Sequence, residues 1–569
     1  MSRKRIAVAR KRRPTFDPID FEILWNRLVT VTDEAAFAVA RTSMSKVVVE
    51  GRDFGVHLHN PRGQMLAADV SIASKTGTTS IAVKELLKVF PAAGLKPGDV
   101  LVTNNPWWIM GHLNDIAVVA PLFHKGRLVA FAECMAHMAD IGGCLSASPR
   151  EVYEEGLIIP PLKAAQAGRE NETFFQMLQA NVRVPRQVAS DVRALMTGCH
   201  VMEEKLGTFL SEQGFGSLED IGGAILDHSE AAMRKAIADT IPNGVYEGET
   251  SVDGFDEPLT VRVRLDIADG QANIDFAGSS PQSPQGINCT YVYTHVWAAY
   301  TMKCLAAPHL PNNDGTFAPI HVAAPQGSFL NPSFPAPVKM KPSSGHYVPI
   351  AILNALADVV PKRMLAESGN KFLVYVAGTT PAGKPFSDLM FVMGGMGARA
   401  TKDGLNCCSF PANSSNLPIE VLEASMPLRV HRKALRPDSG GPGRFRGGLG
   451  QVFEFESVSL APLTVRAEHG KLKTSPRGFR GGGDGAAGGV FLNGEPIPDK
   501  LPVIMQYGDT MRLEIPGSGG MYPPGERARD AIERDLVAGY VSSQAVARDY
   551  SGEEADARDR HSELTHDDA

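Results

Sequence analysis

The sequence predicts an α+β (mixed α/β) multi-domain protein, and three observations carry that expectation. Segments of helical period alternate with segments of strand period along most of the chain. The 56 glycines and 40 prolines exceed the usual shares of about 7% and 5%, which implies many turns and argues against an all-helical bundle. The 569 residues are also too many for one core, since single cores stop growing near roughly 250–300 residues.

Order is expected to begin at Asp17-Pro18, a cap followed by proline at the first helical position. Phe21, Leu24, Trp25, Leu28, Val31, Ala35 and Val39 then follow at helical spacing. Residues 54–70 read as a hairpin turning at Asn60-Pro61-Arg62-Gly63, and residues 80–90 as a helix. Val100-Leu101-Val102 is a short strand. Residues 116–123 form a second, which a His124-Lys125-Gly126 turn joins to a third running from Arg127 towards His137. Residues 172–240 read as helical, and strand signals resume at Val252 and 259–265. From Arg436 to about Gly520 the chain is glycine-rich and β-like, with runs such as Gly440-Gly441-Pro442-Gly443 and Gly481-Gly482-Gly483. Two short helices close the ordered part, around Ile532 and Leu536 and then from 541 to 550. The expected division is a basic disordered tail at 1–14, a domain at 15–245, a mixed α/β domain at 246–430, a glycine-rich β domain at 431–525, and a helical segment with an acidic tail at 526–569.

The charge total is bland: 57 Lys and Arg against 63 Asp and Glu, for a net charge of −6. Nothing in it recommends nucleic acid or a membrane as partner. The exceptions are seven basic residues within 1–13 and seven acidic residues in the last twenty, both expected to be solvated tails. No 18-residue apolar run offers a membrane span, and no apolar segment follows the basic start as a secretory signal requires. Seven cysteines without a CxxC pair suggest a reduced, cytoplasmic protein; Cys134, in an apolar strand, reads as a core thiol.

The hairpin at 116–137 places chemistry. If its turn centres on Lys125, paired residues sum to about 250, which puts His137 opposite residue 113, between His112 and Asp115. Two imidazoles and a carboxylate at one hairpin end suit a divalent transition metal such as Zn, Mn or Fe, and three protein ligands with an open position form a catalytic pattern. A fourth ligand is expected from Asp53 or Glu50, and Asp140 is placed to orient an imidazole. The 15–245 domain therefore carries the candidate metal site. Other chemistries lack support: the chain has no GxSxG, no HExxH and no GxxxxGK[ST].

At these residues the chain resembles the hydantoinase B family, the B-type subunit also found in 5-oxoprolinase and related to subunits of acetone and acetophenone carboxylases. Glu50-Gly51-Arg52-Asp53-Phe54 is similar to the family's ERRDFS segment. Asn105-Pro106 with Gly111-His112-Leu113-Asn114-Asp115-Ile116 is similar to NDP…GTHLPDI, and the run from Ala136 to Gly143 to AHHADIGG. The run from Tyr153 to Pro161 resembles YQEGLRIPP, and Gly286-Ile287-Asn288, the run from Asn312 to Gly315, that from Arg436 to Arg444 and that from Pro516 to Gly520 match further motifs in order. The resemblance covers Asp17 to about Tyr550.

The resemblance implies a catalytic subunit of an ATP-dependent cyclic-amide hydrolase of the hydantoin, oxoproline or lactam type. It implies metal ligands at His112, Asp115, His137 and Asp53. It also implies an A-type, ATP-binding partner subunit that phosphorylates a carbonyl oxygen of a small-molecule substrate, hence a hetero-oligomer. Asp140 or Glu50 would move the proton. Two rival readings are a ketone carboxylase subunit and a non-catalytic scaffold. The sequence departs from the family at Met138, at Gly51, and at Trp107-Trp108-Ile109-Met110, where a small glycine-rich loop is expected. That bulkier loop implies either a pocket for an aromatic or alkyl group, which leans towards a ketone, or tryptophans that pack under the loop or against the partner.

Overall fold

The computed structural model of the chain describes residues 16–69, 75, 79–145, 148–380, 383–408, 410–468, 470–497 and 502–550. The basic run at 1–13 and the acidic residues of the C-terminal tail lie outside the described residues.

Helix α1 (Pro18–Thr42) starts as its sequence requires: the Asp17 side chain accepts from the Ile19 and Asp20 amides. Leu24, Leu28, Val31, Ala35 and Val39 form one buried stripe. A single turn, α2 (Lys46–Val49), leads into β1 (Phe54–His59) and β2 (Met65–Ala68). Their turn is held by Asn60, whose Oδ1 accepts from the Arg62 and Gln64 amides. After α3 (Thr79–Val89) come β3 (Val100–Thr103), β4 (Asp115–His124), β5 (Arg127–His137), β6 (Leu162–Gln166) and β7 (Arg169–Glu170). These seven strands make one sheet in the order β2-β1-β5-β4-β3-β6-β7. Helices α4 (Glu172–Asn181), α5 (Pro185–Glu212) and α6 (Glu219–Thr240) follow, and α1 and α5 pack together, with α5 against β4 and β5.

Along β4 the side chains alternate between two cores. Ile116, Val118, Ala120 and Leu122 join the core under α1 and α5, whereas Ala117 and Val119 face other apolar clusters. Being covered on both faces, β4 is apolar from Ile116 to Phe123, like the central strands of buried sheets.

The second sheet contains β8 (Gly244–Val252), β9 (Leu259–Ala268), β10 (Gln271–Asp275) and, after α7 (Tyr291–Ala306) and α8 (Asp314–Phe317), β11 (Ile320–Ala323). Its middle strand β9 alternates buried Val261, Val263 and Leu265 with exposed Arg262 and Arg264, so one face meets solvent and the other packs on α10 (Val348–Ala355), which follows α9 (Pro342–Gly345).

The rest of the chain weaves two sheets. One orders β13 (Pro385–Met393), β12 (Lys371–Thr379), β16 (Leu463–Glu468) and β19 (Val503–Met505). The other orders β14 (Leu428–Leu435), β15 (Gln451–Ser457), β20 (Thr510–Glu514), β17 (Gly489–Leu492) and β18 (Glu495–Pro496), with α11 (Ile419–Ser425) before β14. Between these strands the glycine-rich runs lie backbone against backbone. A Cβ on Gly447 would stand 2.0 Å from the Ser518 carbonyl oxygen, so only glycine fits there. Helices α12 (Arg529–Val537) and α13 (Ser543–Asp549) end the described chain, the latter capped by Ser542.

One expectation needs correction. His137 pairs with Asp115, not with residue 113. The turn residues are Lys125 and Gly126, both at positive φ, and the register shifts between Leu122 and Phe123. Together these move the pairing by two positions relative to a turn centred on Lys125.

Candidate metal centre

Three adjacent strands present their ends together. Asp53 immediately precedes β1, His137 ends β5 and Asp115 begins β4. The His137 amide donates to the Asp53 carbonyl oxygen (3.0 Å), and His137 sits opposite Asp115. His112 is brought back by a turn at Gly111, whose φ of +84° and close approach to Thr290 Oγ1 favour glycine. His112, Asp115 and His137 are 3%, 3% and 2% exposed. One ligand atom from each lies within 4.8 Å of the others, and the two imidazole rings are 5.0 Å apart.

The hydrogen bonds bear on what this cluster could hold. His112 Nδ1 lies 3.3 Å from the Lys339 carbonyl oxygen, so the Nδ1–H donates and Nε2 carries a lone pair. That Nε2 lies 2.7 Å from Asp115 Oδ2, which also accepts from Lys341 Nζ, whereas His137 Nε2 is buried and unpartnered. Burial and the Lys341 ammonium push His112 down to about 4. Burial opposes ionisation of Asp115, but the ammoniums of Lys341 and Lys75 outweigh it and hold the carboxyl well below its usual range. A buried, unpartnered His137 Nε2 beside a second imidazole and a carboxylate, one ligand atom of each within 4.8 Å, is a set of groups that a bound cation would satisfy. Imidazole nitrogen and carboxylate oxygen are the donor set of zinc and similar ions, so the residues fit a divalent metal.

The surroundings are unusually rich in lysine. Lys75 Nζ bridges Asp53 (2.9 Å) and Asp115 (2.7 Å). Lys341 Nζ pairs with Asp115 (2.9 Å) and donates to the Met110 carbonyl. Burial resists ionisation of Asp53 too, yet Lys75 and His137 keep its carboxyl below the ordinary value. A cavity of about 30 Å³ opens here, lined by Asp53, Lys75, His112, Asp115 and His137, and on the other side by Tyr293, Lys341, His346, Lys371 and Leu373. Residues of 15–245 and of 246–430 thus share one site.

Asp140 and Glu50 are not brought to the cavity. Both oxygens of Asp140 accept from Arg183, through its Nη1 (2.8 Å) and its backbone amide (2.5 Å). Glu50 caps α2, half-buried and outside the lining. The tryptophans also stand aside. Trp107 Nε1 donates to the Pro332 carbonyl (3.0 Å) and its ring meets Phe334 at 5.3 Å, while Met110 lines the cavity. Lys75, Tyr293, Lys341, His346 and Lys371 escaped the sequence reading. Each is remote in sequence from the hairpin, and the one local hint is the pair Lys339 and Lys341 in an otherwise apolar run.

Comparison with known proteins fits this geometry. Residues 17–524 match the family model described as Hydantoinase B/oxoprolinase. The chain is 30% identical over 565 residues to a Pseudomonas sp. (strain NS671) protein named for the B-type subunit of a D-/L-hydantoinase, covering 94% of this chain and 95% of that one. It is 28% identical over 572 residues to the beta chain of the caprolactamase of Pseudomonas jessenii, at 94% and 96% coverage. The crystal structure of the ATP-dependent caprolactamase from that organism superposes with a TM-score of 0.87 at 26% identity, covering 94% of this chain and 96% of that one. A nucleotide-free acetone carboxylase structure shares the fold, with a TM-score of 0.83 at 18% identity over 97% and 84% of the two chains. With a family match over nearly all of its ordered length and a buried His–Asp–His cluster at a hairpin end, the chain belongs to the hydantoinase B/oxoprolinase family.

Proposed function

We propose that the chain is the metal-dependent catalytic subunit of an ATP-dependent cyclic-amide hydrolase, acting on a carbonyl whose oxygen an A-type partner has phosphorylated. The observation that carries this reading is the buried cluster of His112, Asp115 and His137, one ligand atom of each within 4.8 Å of the others. Support for the substrate class comes from the relatives, a hydantoinase chain and an ATP-dependent caprolactamase, both named for opening cyclic amides.

His112, Asp115, His137 and Asp53 would hold the ion, which supplies Lewis acidity and lowers the pKa of water. The protein's own groups do the rest. The Lys339 carbonyl fixes the His112 ring so that Nε2 faces the cavity. Lys75 ties Asp53 to Asp115 and keeps both ionised. The lysines and Asp115 around the cavity are buried, so they are screened less than they would be in water. Resonance protects an amide carbon, and phosphorylation of its oxygen removes that protection. Water then adds to the carbon, the C–N bond breaks, and the nitrogen takes a proton. The remaining acyl phosphate takes a second water and releases carboxylate and phosphate. With Asp140 paired to Arg183 and Glu50 outside the lining, this proton falls to groups that face the cavity.

The test is reconstitution with an A-type partner and ATP. Ring opening of a hydantoin or lactam should accompany ADP release, and His112→Ala with Asp115→Ala should abolish it. Unchanged turnover in that double variant would return the chain to a scaffold role. Labelled bicarbonate entering product from a ketone would instead establish a carboxylase. Trp107 packs on Phe334 rather than on the cavity, so of this loop only Met110 lines the site.

A further inference from the structure

Lys371 is the one cavity cation that pairs with no carboxylate among the described residues. It begins β12 and its side chain is buried, with Leu373 of the same strand beside it in the cavity wall. Its Nζ donates to Ser414 Oγ and lies 4.1 Å from the centre of the Phe391 ring. A hydroxyl and a ring face orient an ammonium, but neither neutralises it. Lys75 and Lys341, by contrast, are committed to Asp53 and Asp115.

The charge inventory of the cavity points the same way. Three ammonium groups face two carboxylates, and His346 is held neutral by burial. A divalent ion on the His–Asp–His cluster adds two further positive charges. Buried charge of that size requires an anion, and one with several negative oxygens suits it better than a carboxylate.

We propose that Lys371, backed by Ser414, is the phosphoryl-binding side of this cavity, holding the anionic oxygens of the phosphorylated carbonyl while its carbon faces His112, Asp115 and His137. This assignment rests on the hydrolase reading above and adds to it where the phosphoryl group sits. Phosphate release leaves the Lys371 ammonium with only the through-space attraction of Asp53, which favours binding of the next activated substrate.

The probe is inorganic phosphate, titrated calorimetrically into the purified metal-loaded chain without partner or ATP. Wild type should bind it, and Lys371→Met should weaken binding by about 10- to 100-fold, the worth of a charge-assisted hydrogen bond. Lys371→Arg keeps the charge and should recover most of the affinity. Metal content by mass spectrometry should stay unchanged in both variants, which shows that the fold and the His–Asp–His cluster survive. Equal phosphate binding by wild type and Lys371→Met, or none by metal-loaded wild type, overturns the assignment; so does binding of bicarbonate in place of phosphate. The metal measurement separates the two failures. Lost metal in wild type strikes at the hydrolase reading, whereas bound metal with phosphate affinity indifferent to Lys371 strikes at this assignment alone.

Discussion

At His112, burial and the nearby Lys341 ammonium lower the imidazole to about 4, against an ordinary value near 6.5. The sign matters for metal retention. A lowered imidazole pKa keeps the ring unprotonated, and so able to ligate, down to about pH 4. Asp115 is held well below its usual range by Lys341 and Lys75 despite burial, so the carboxylate does not release first. Bound metal should therefore survive dialysis at pH 5.5 and be lost only as the pH approaches 4. Metal analysis after dialysis across that range checks it, and a midpoint near 6.5 would mean the ring is ordinary. The same residue shows what sequence reasoning reaches. HxxD, a hairpin and a later His are local features, so their convergence is legible. The lysines that set the charge of the site are not, because only tertiary folding brings Lys75, Lys341 and Lys371 beside Asp53 and Asp115.

Among elements, the turn before β4 and the pair β12–β16 carry most weight. Gly111 takes φ +84°, and a Cβ there would meet Thr290 Oγ1 at 2.8 Å. Gly111→Ala should cost about 1–3 kcal/mol and displace His112, lowering both the denaturation midpoint and the bound metal. Retention of both would show that the turn yields without moving the ligand. On β16, Arg466 and Glu468 face Tyr375 and Leu373 of β12 across the strand pair, and Arg466 Nη2 donates to Glu468 Oε1 at 3.1 Å. Both are buried, so Arg466→Met should destabilise by about 3–5 kcal/mol by leaving Glu468 without its partner. Adding Glu468→Gln to Arg466→Met should restore part of the loss, and chemical denaturation of the single and double variants measures it. Helix α1 and the β1–β2 hairpin are readable from caps and turn residues alone. The β4–β5 pairing is readable only to within two positions, because the shift between Leu122 and Phe123 leaves no mark in an apolar strand covered on both faces.

At the scale of the whole molecule, the cavity lies where three parts meet: the end of the seven-stranded sheet, the face of β12, and the segment from Tyr293 to His346. A site assembled from such distant parts explains why the family match runs through residues 17–524 rather than through one segment. Among the described residues, no helix is long and apolar enough to cross a membrane. The glycine-rich β region reads correctly as turns and strands, but its interleaving of β12, β13, β16 and β19 with β14, β15, β17, β18 and β20 is invisible in sequence, since close backbone packing leaves only glycine as its mark.

On the proposed reading, His112, Asp115, His137 and Asp53 hold a metal ion. Mass spectrometry of purified wild type beside His137→Ala tests it most directly. A real centre gives about one transition-metal ion per chain in wild type, the number a single such cluster can hold, and loses it in the variant. If neither protein holds metal, even when supplied with zinc or manganese, the metal-dependent reading is contradicted and the scaffold reading takes its place.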